Sequence, residues 1–590
     1  MMAELGGGSE ATAPRGCRDA AREGASPASG IGRREFLRLS GVAGSVALGG
    51  SVVAACASGQ ANSTSSQSPA SGAVIAGTVP GPSPVSGGRY GGRVIAGYAA
   101  PPDSNDPAQS YNLFSYDIVT ELVFFGGLLA YGGQYGGPIP NLAAKMPEVS
   151  ADKKTFTFTL RPGVKFHNGR EIVADDVKYA WERVLLPATA AWGSAYFADI
   201  VGAQAMLKGR TKSLEGVDVV NSTTLRVQLE NPNFTFLNAV SQPFSAPVPR
   251  EEVERLGNQF GKTPVGFGPF RIESQDESAQ VARLVKFDDY FWKGLPYIDE
   301  VEMHWGSSDE TLLLQLKSGA IGLIGDGIPG TLLGQVQSDP SLKPMAKGVP
   351  VHQSLKFMMN VTKPPLDDVR VRQALNWSVN RGDITKVLHG SGIPDGTPFP
   401  LNLGFTPTFQ PYGYDPAKAK KLLAEAGHAS GLQLTITSDT ADPWPTISQI
   451  VQQQLGAVGV KAQIQPLKNN VYTQLAQQGK LQMWPDGWYM VQPTAADIVD
   501  NQYVTHAGSN YSRFSNQQVD KLAAEAHPLF GVPAENKLYA QIEQLIGEAA
   551  PALYLVNGTY DGGVNPSRIS NWQYRGEYGN YFDRMWVPTA

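Results

Sequence analysis

The stretch from Lys154 to Gly169, KTFTFTLRPGVKFHNG, narrows the choice of fold more than any other. Phe156, Phe158 and Leu160 alternate with Thr155, Thr157 and Thr159, and a period of two turns the first set to a buried face and the second to solvent. Pro162-Gly163 reads as a turn, Val164 and Phe166 resume the alternation, and Asn168-Gly169 turns the chain again. From about Asp175 the period changes. Val177, Ala180, Trp181, Val184 and Leu185 fall on one face of a helix, with Asp175 placed to cap it. A chain that passes from strand period to helix period within one block is neither all-α nor all-β.

The alternation of element types continues. TTLRVQLENPN predicts a strand through Leu225, Val227 and Leu229. DDVRVRQALNWSVNR predicts a helix with Val371, Ala374, Leu375, Ser378 and Val379 inward, behind a cap at Asp367 or Asp368. YDPAKAKKLLAEAG carries a complete set of helix signals: Asp415 at the cap, Pro416 at the first position, Leu422 and Leu423 buried, Gly427 at the end. ISQIVQQQLGAVGVKAQIQ reads as helix, glycine break, then a strand through Val460, Ala462 and Ile464. No fixed repeat underlies these elements, so the expectation is a mixed α/β globule and not a solenoid.

The N-terminal region has a different logic. RREFLRLSGVAGSVALGGSVVAAC, residues 33–56, places Arg33 and Arg34 before a short run of small and apolar residues that ends at Cys56. The run is too short and too rich in glycine to span a bilayer, and its plan is that of an export signal. The paired arginines resemble the twin-arginine address, and Val53-Ala54-Ala55-Cys56 resembles a lipobox whose cysteine takes the lipid. Residues 1–32, rich in Gly, Ala and Ser, read as a leader, and 57–88 as a flexible tether. The chain holds only Cys17 and Cys56, so after processing no disulfide, thiol nucleophile or zinc knuckle is expected. About 535 residues follow the signal, room for two or three domains. Net charge is −5 with no basic stripe, which argues against nucleic acid as a partner.

Five of these segments, taken in order, resemble the extracytoplasmic solute-binding proteins of peptide- and nickel-type ABC importers (family 5). They are TFTFTLRPGVKFHNGREIVADDVKYAWERVL (155–185), GFGPFRI (266–272), DDVRVRQALNWSVNR (367–381), YDPAKAKKLLAEAG (414–427) and NYSRFSNQQVDKLAAEA (510–526). The resemblance implies an α/β, two-lobed periplasmic-binding-protein fold of the cluster C type with an inserted subdomain. Lobe I would comprise 89–120, 245–350 and 553–590, the insertion 121–244, and lobe II 351–552. It also implies a monomer that captures a small solute by hinge closure at the outer face of a bacterial membrane, held there by its lipid and served by permease and ATPase subunits, with neither catalysis nor a cofactor. The rival readings are an exported enzyme such as a glycan hydrolase, and a binding module that reports to a sensor.

Within that resemblance, MWPDGWYMVQP (483–493) corresponds to a stretch that lines the ligand cleft. In peptide-binding members an aspartate three residues after a Gly-Trp pair holds the ligand's α-ammonium. Here Gly487-Trp488 is followed at that spacing by Val491, and Pro101 stands where an acid is often found. A valine leaves a desolvated ammonium unpaired, so free-amino peptides lose ground as ligands. Asp486 is a substitute only if the loop register slips. Trp484, Trp488, Tyr489 and Tyr98 are candidates for stacking on a solute, and Asn360 for a hinge or cleft position. GDGIPG (325–330) matches a dinucleotide-loop pattern but contains Pro329 and reads as a fortuitous loop. The seven histidines show no metal-ligand spacing, so no metal is expected. Glu171, Asp175 and Asp176 are explained by capping and solvation rather than as a glycosidase pair.

Overall fold

The computed structural model describes residues 84–588, apart from 111–112, 133–136, 402 and 576–578. Cys56, Arg33 and Arg34 lie outside the described residues. The last residues of the expected tether are docked: the Val85 N–H donates to the Tyr297 hydroxyl at 2.6 Å.

One large sheet runs through both lobes. From edge to edge its strands are Val460–Leu467, Leu432–Asp439, Met483–Tyr489, Ala346–Met359, Ala552–Val564, Leu323–Ile324, Arg93–Gly97, Glu300–His304, Val281–Lys286 and Phe270–Asp276, and Ile393–Pro394 adds to Ala552–Val564. The two long strands in the middle carry the chain from one lobe to the other. Ala346–Pro350 lie opposite Thr559–Gly563 in lobe I, and Leu355–Met358 lie opposite Ala552–Val556 in lobe II. Between Pro350 and Ser354 the register breaks, at a proline that has no N–H for the ladder. Asn557, fully buried, bridges the break: its amide donates to the Val351 carbonyl at 3.1 Å and its oxygen accepts from the Leu401 N–H.

Thr155–Thr159 belongs to a separate four-stranded sheet with Glu148–Val149, Thr224–Gln228 and Val217–Asn221. Thr155–Thr159 pairs with Thr224–Gln228 so that Phe156 faces Val227 and Phe158 faces Leu225, all fully buried. Gly163 and Gly169 both have positive φ (75° and 90°), which is why glycine occupies the two predicted turns. Helix Ala174–Leu185 buries Val177, Ala180, Trp181, Val184 and Leu185 as its spacing requires, and Trp181 packs against Phe197 and Phe236. The cap is a correction. Asp175 points to solvent, and it is Asp176 that accepts from the Val173 N–H at 2.9 Å while pairing with Arg170. Glu171 accepts from the Gly163 N–H, so these acids are engaged locally.

One hydrophobic core runs from Val94 through Phe156 and Trp181 to Phe582, so the four-stranded sheet and the Arg93–Gly97 end of the large sheet pack together. Lobe II has a core on each face of its sheet: Trp484, Trp488, Tyr503 and Ile542 on one, Phe357, Leu375, Ile447 and Met483 on the other. Helix Val369–Trp377 is capped by Asp368, which accepts from the Arg370 N–H, and helix Pro416–Glu425 by Asp415, which accepts from the Lys418 N–H. Among the described residues no helix is long and apolar enough to cross a membrane.

Candidate ligand site between the lobes

The registers of the sheet locate the site. Leu323–Ile324 runs antiparallel to Val564–Gly563, so its carboxyl end points at the crossover near Asn557, and Arg93–Gly97 runs parallel beside it. From the other lobe, Met483–Tyr489 runs antiparallel to Met359–Gln353, so its carboxyl end also points at the crossover. Residues that follow these strands, Tyr98 and Asp326 from lobe I and Met490-Val491 from lobe II, therefore converge on the space between the lobes. Open sheets bind ligands outside the carboxyl ends of parallel strands, and two such edges face each other here.

On the lobe I side the hydroxyl of Tyr98, fully buried, donates to Asp117 Oδ2 at 2.7 Å. Asn580 donates to the same carboxylate from its N–H (3.1 Å) and its amide (2.9 Å). Burial holds Asp117 up to about 7, the hydrogen bonds pulling the other way. Asp326, partly exposed, accepts from the Ala99 N–H at 2.8 Å, and desolvation raises it to about 6. The Tyr560 hydroxyl donates to the Gly325 carbonyl at 2.7 Å, and its ring stacks on Tyr574 at 3.7 Å. Trp572 and Tyr489, both half-buried, pack around this stack, so lobe II contributes one ring to a cluster built mainly by lobe I. GDGIPG is part of the same construction. A Cβ on Gly325 would collide with the Tyr98 ring and one on Gly327 would press on Tyr560, so these glycines serve two tyrosines.

On the lobe II side Trp488 is turned inward. It is 4% exposed, and its indole N–H donates to Asp497 at 3.2 Å. Trp488 and Trp484 thus prop the loop from within instead of presenting rings to the cleft. Asp497 also accepts from the Val491 and Gln492 N–H groups, and desolvation raises it to about 7. Gly487 lies on the opposite face, near Leu355 and Trp444. Asp486 is no free substitute for an acid at 491: it is 1% exposed, lies 3.6 Å from Lys356 Nζ and accepts from Gln502 at 2.9 Å. Val491 itself is half-buried, and its carbonyl accepts from Gln242 of the inserted subdomain at 2.5 Å, a contact that crosses between the lobes. Pro101 is exposed beyond Tyr98. Asn360 is not brought to this site. It closes the far end of its strand, donating to the Gly479 carbonyl and accepting from Thr362.

The family model described as bacterial extracellular solute-binding proteins, family 5 (middle), matches residues 137–510. The chain belongs to this family. As a family 5 solute-binding protein it is 28% identical over 462 residues to the glutathione-binding protein GsiB of Salmonella paratyphi A, covering 76% of this chain and 86% of that one. The counterpart from Escherichia coli K12 is 27% identical over the same length. Among solved structures, the unliganded open form of the periplasmic murein tripeptide-binding protein MppA superposes with a TM-score of 0.75 at 24% identity, covering 84% of this chain and 97% of that one. The binding protein AgaA in complex with agropinic acid superposes with a TM-score of 0.64 at 22% identity, covering 85% and 99%. The two-lobed mixed α/β fold is therefore shared, and these relatives are binding proteins.

Of the residues named from sequence, Tyr489 and Val491 lie half-buried at this edge, whereas Tyr98, expected to stack on a solute, is fully buried beneath it; Asp117, Gln242, Asp326, Asp497, Tyr560 and Trp572 stand at the same edge and were not named. Asp326 carried a signal, an acid at the end of the apolar run AIGLI, which the dinucleotide pattern obscured. Asp117 and Tyr560 carried none, because 463 residues separate Asp117 from its partner Asn580. Among the described residues no group of three or more His, Cys, Asp or Glu is arranged to hold a metal.

Proposed function

We propose that this solute-binding protein is the capture component of an ABC importer, exported by the twin-arginine route and tethered to the outer face of the membrane through lipid on Cys56. The lobes would close on the solute about the two long strands, with 346–350 and 559–563 in one lobe and 355–358 and 552–556 in the other. A ligand that touches both lobes stabilises the closed form by its differential affinity for it, and the membrane partner would read that form. The single observation that carries the reading is the convergence of Tyr98 and Asp326 with Tyr489 and Val491 on the crossover.

The solute would be peptide-like, a sugar or a chelate, with no ammonium anchored in lobe II, because Val491 takes the acid's place and Asp486 is committed to Lys356. A thermal-shift screen tests this, using the full chain with Cys56→Ser against di- to pentapeptides, oligosaccharides, opines, amines and nickel or iron chelates. Ligand at about 100 times its dissociation constant adds roughly 2.7 kcal/mol to folding stability. A clear shift with one class supports capture; a flat response across the panel would sink it.

A further inference from the structure

A cavity separate from the interlobe space lies in lobe II, at the end away from the crossover. It encloses about 490 Å³. Lys363, just past the strand Ala346–Met359, and Lys480 and Gln482, just before the strand Met483–Tyr489, form one side, and Thr435, Thr437 and Gln465 form the other. The sheet itself makes the opening. Leu432–Asp439 and Met483–Tyr489 are neighbours, yet their ladder has one pair, Ile436 with Met483. Where it stops a side chain takes over: Gln482 Oε1 accepts from the Thr435 N–H at 2.9 Å, and the Gln482 amide donates to the Pro364 carbonyl at 2.9 Å. Two strands joined through a side chain stand further apart than a ladder allows, and the cavity occupies that fork.

Thr435 and Thr437 are two residues apart and share a face of their strand, and Gln465 stands opposite Thr437 in the next one. Two hydroxyls and an amide therefore lie along one wall, and Thr437 is only 1% exposed. The lining adds two lysines and no acid. Among the described residues neither lysine is paired with a carboxylate. The carbonyls at the end of helix Asn469–Gln477 and just past it already have donors: Arg513 for Gln477, Asn360 for Gly479 at 3.2 Å, and Lys363 Nζ for Lys480 at 3.1 Å. That last bond engages one of the three protons of the Lys363 ammonium. Asp439, next on the Thr437 face, lies outside the lining and accepts from the Ala441 N–H at 3.0 Å.

Two ammonium groups among hydroxyl and amide donors suit the oxygens of an anion, which take charge-assisted hydrogen bonds. A cation would be repelled, and a neutral sugar would leave the lysines unused. The volume falls within the range of small-molecule sites, about 300–1,000 Å³, which leaves room for an organic body beside the charged group. We propose that this fork is a second binding site, for a small organic anion whose carboxylate or phosphate oxygens meet Lys363 and Lys480 and whose remaining polar groups meet Thr435, Thr437 and Gln465. Its polarity is opposite to that of the interlobe edge, where Asp117, Asp326 and Asp497 stand. The site therefore does not depend on which solute the lobes capture.

Isothermal titration of the full chain carrying Cys56→Ser tests it, with citrate and glucose 6-phosphate as organic anions, inorganic phosphate as the bare oxyanion, and glucose as the uncharged partner. At least one organic anion should bind, and glucose should be weaker than glucose 6-phosphate by about tenfold or more, the scale of one charge-assisted contact. Lys480→Gln should weaken the anion by a similar factor of about ten. Lys480 is exposed, so that variant should melt at the wild-type temperature. Gln465→Ala, also at an exposed position, should weaken the anion by roughly threefold or more, through the loss of one neutral hydrogen bond. Anions that bind Lys480→Gln as tightly as wild type would place them elsewhere and overturn the site. A loss in Lys480→Gln with none in Gln465→Ala would show diffuse attraction to a basic surface, which also overturns it. So would the absence of binding by every anion in the panel.

Discussion

At position 491 a valine sits in a loop whose backbone is held on both sides. Asp497 takes the backbone N–H groups of residues 491 and 492 and the Trp488 indole, and Gln242 takes the Val491 carbonyl. The side chain is thus free to change without loosening the loop. Val491→Asp should create or improve binding of free-amino peptides by tenfold or more, on the scale of about 1.4 kcal/mol per decade, measured by titration with trialanine. No gain would mean that residue 491 does not reach the ligand. A second residue to test is Glu543, 1% exposed in the lobe II core with Oε2 unpartnered. Burial pushes its carboxyl up to about 8, and the negative charge of Asp395 adds to this. An acid that holds its proton when folded but not when unfolded contributes stability below about pH 4, and that contribution is lost as pH rises towards 8. Glu543→Gln should therefore gain at least about 1 kcal/mol at pH 8 and little at pH 4, read from urea unfolding at the two pH values. An equal effect at both would show that Glu543 is ionised in the folded protein.

At the scale of elements, helices and strands came out where local signals put them, though Leu422, Ala462 and Ile464, expected to be buried, are only half-buried. Helix Pro416–Glu425 begins one residue after Asp415, and Gly427 follows it with φ of 89°. Its cap hydrogen bond is local, so Asp415→Ala should cost about 1 kcal/mol in chemical unfolding and leave solute affinity unchanged. A loss of affinity would reveal a coupling from this surface helix to the cleft. The displaced cap at Ala174–Leu185 shows the limit of local reading. Asp175 and Asp176 are chemically alike, and the choice between them is made by Arg170, whose guanidinium binds Asp176 on two atoms and Glu251 as well. Trp488 and Tyr489 pose the same problem. Neighbours in a strand face opposite ways, and which faces the cleft depends on what packs behind the sheet.

At the scale of the molecule, two strands form the principal passage between lobes, and a second contact closes the far side. The Phe234 N–H of the inserted subdomain donates to the His527 carbonyl of lobe II at 2.8 Å, Lys153 donates to the Pro528 carbonyl at 3.0 Å, and Phe234 stacks on Phe530. His527 is in turn paired with Asp500 at 2.9 Å. If this contact belongs to the closed arrangement, removing the ring lowers the population of that arrangement. Phe234→Ala should widen the mean separation of the lobes in small-angle scattering. It should also weaken solute binding about fivefold, for roughly 1 kcal/mol of aromatic contact. Unchanged scattering and affinity would make the contact incidental.

Periodicity, caps and turn residues are short-range properties, so the sequence by itself determined that this is a mixed α/β chain, where several helices start, and which faces of Thr155–Thr159 and Val369–Trp377 are buried. The motif resemblance reached the family for the same reason, since its landmarks are contiguous segments. Only the tertiary structure decided the composition of the site. Asp117 meets Asn580 across 463 residues within one lobe, and Gln242 meets Val491 across 249 between lobes, which no contiguous segment announces. A carboxylate becomes an anchor, a core charge or a cap according to its desolvation and its neighbours, and those are set by packing between segments that are far apart in the chain.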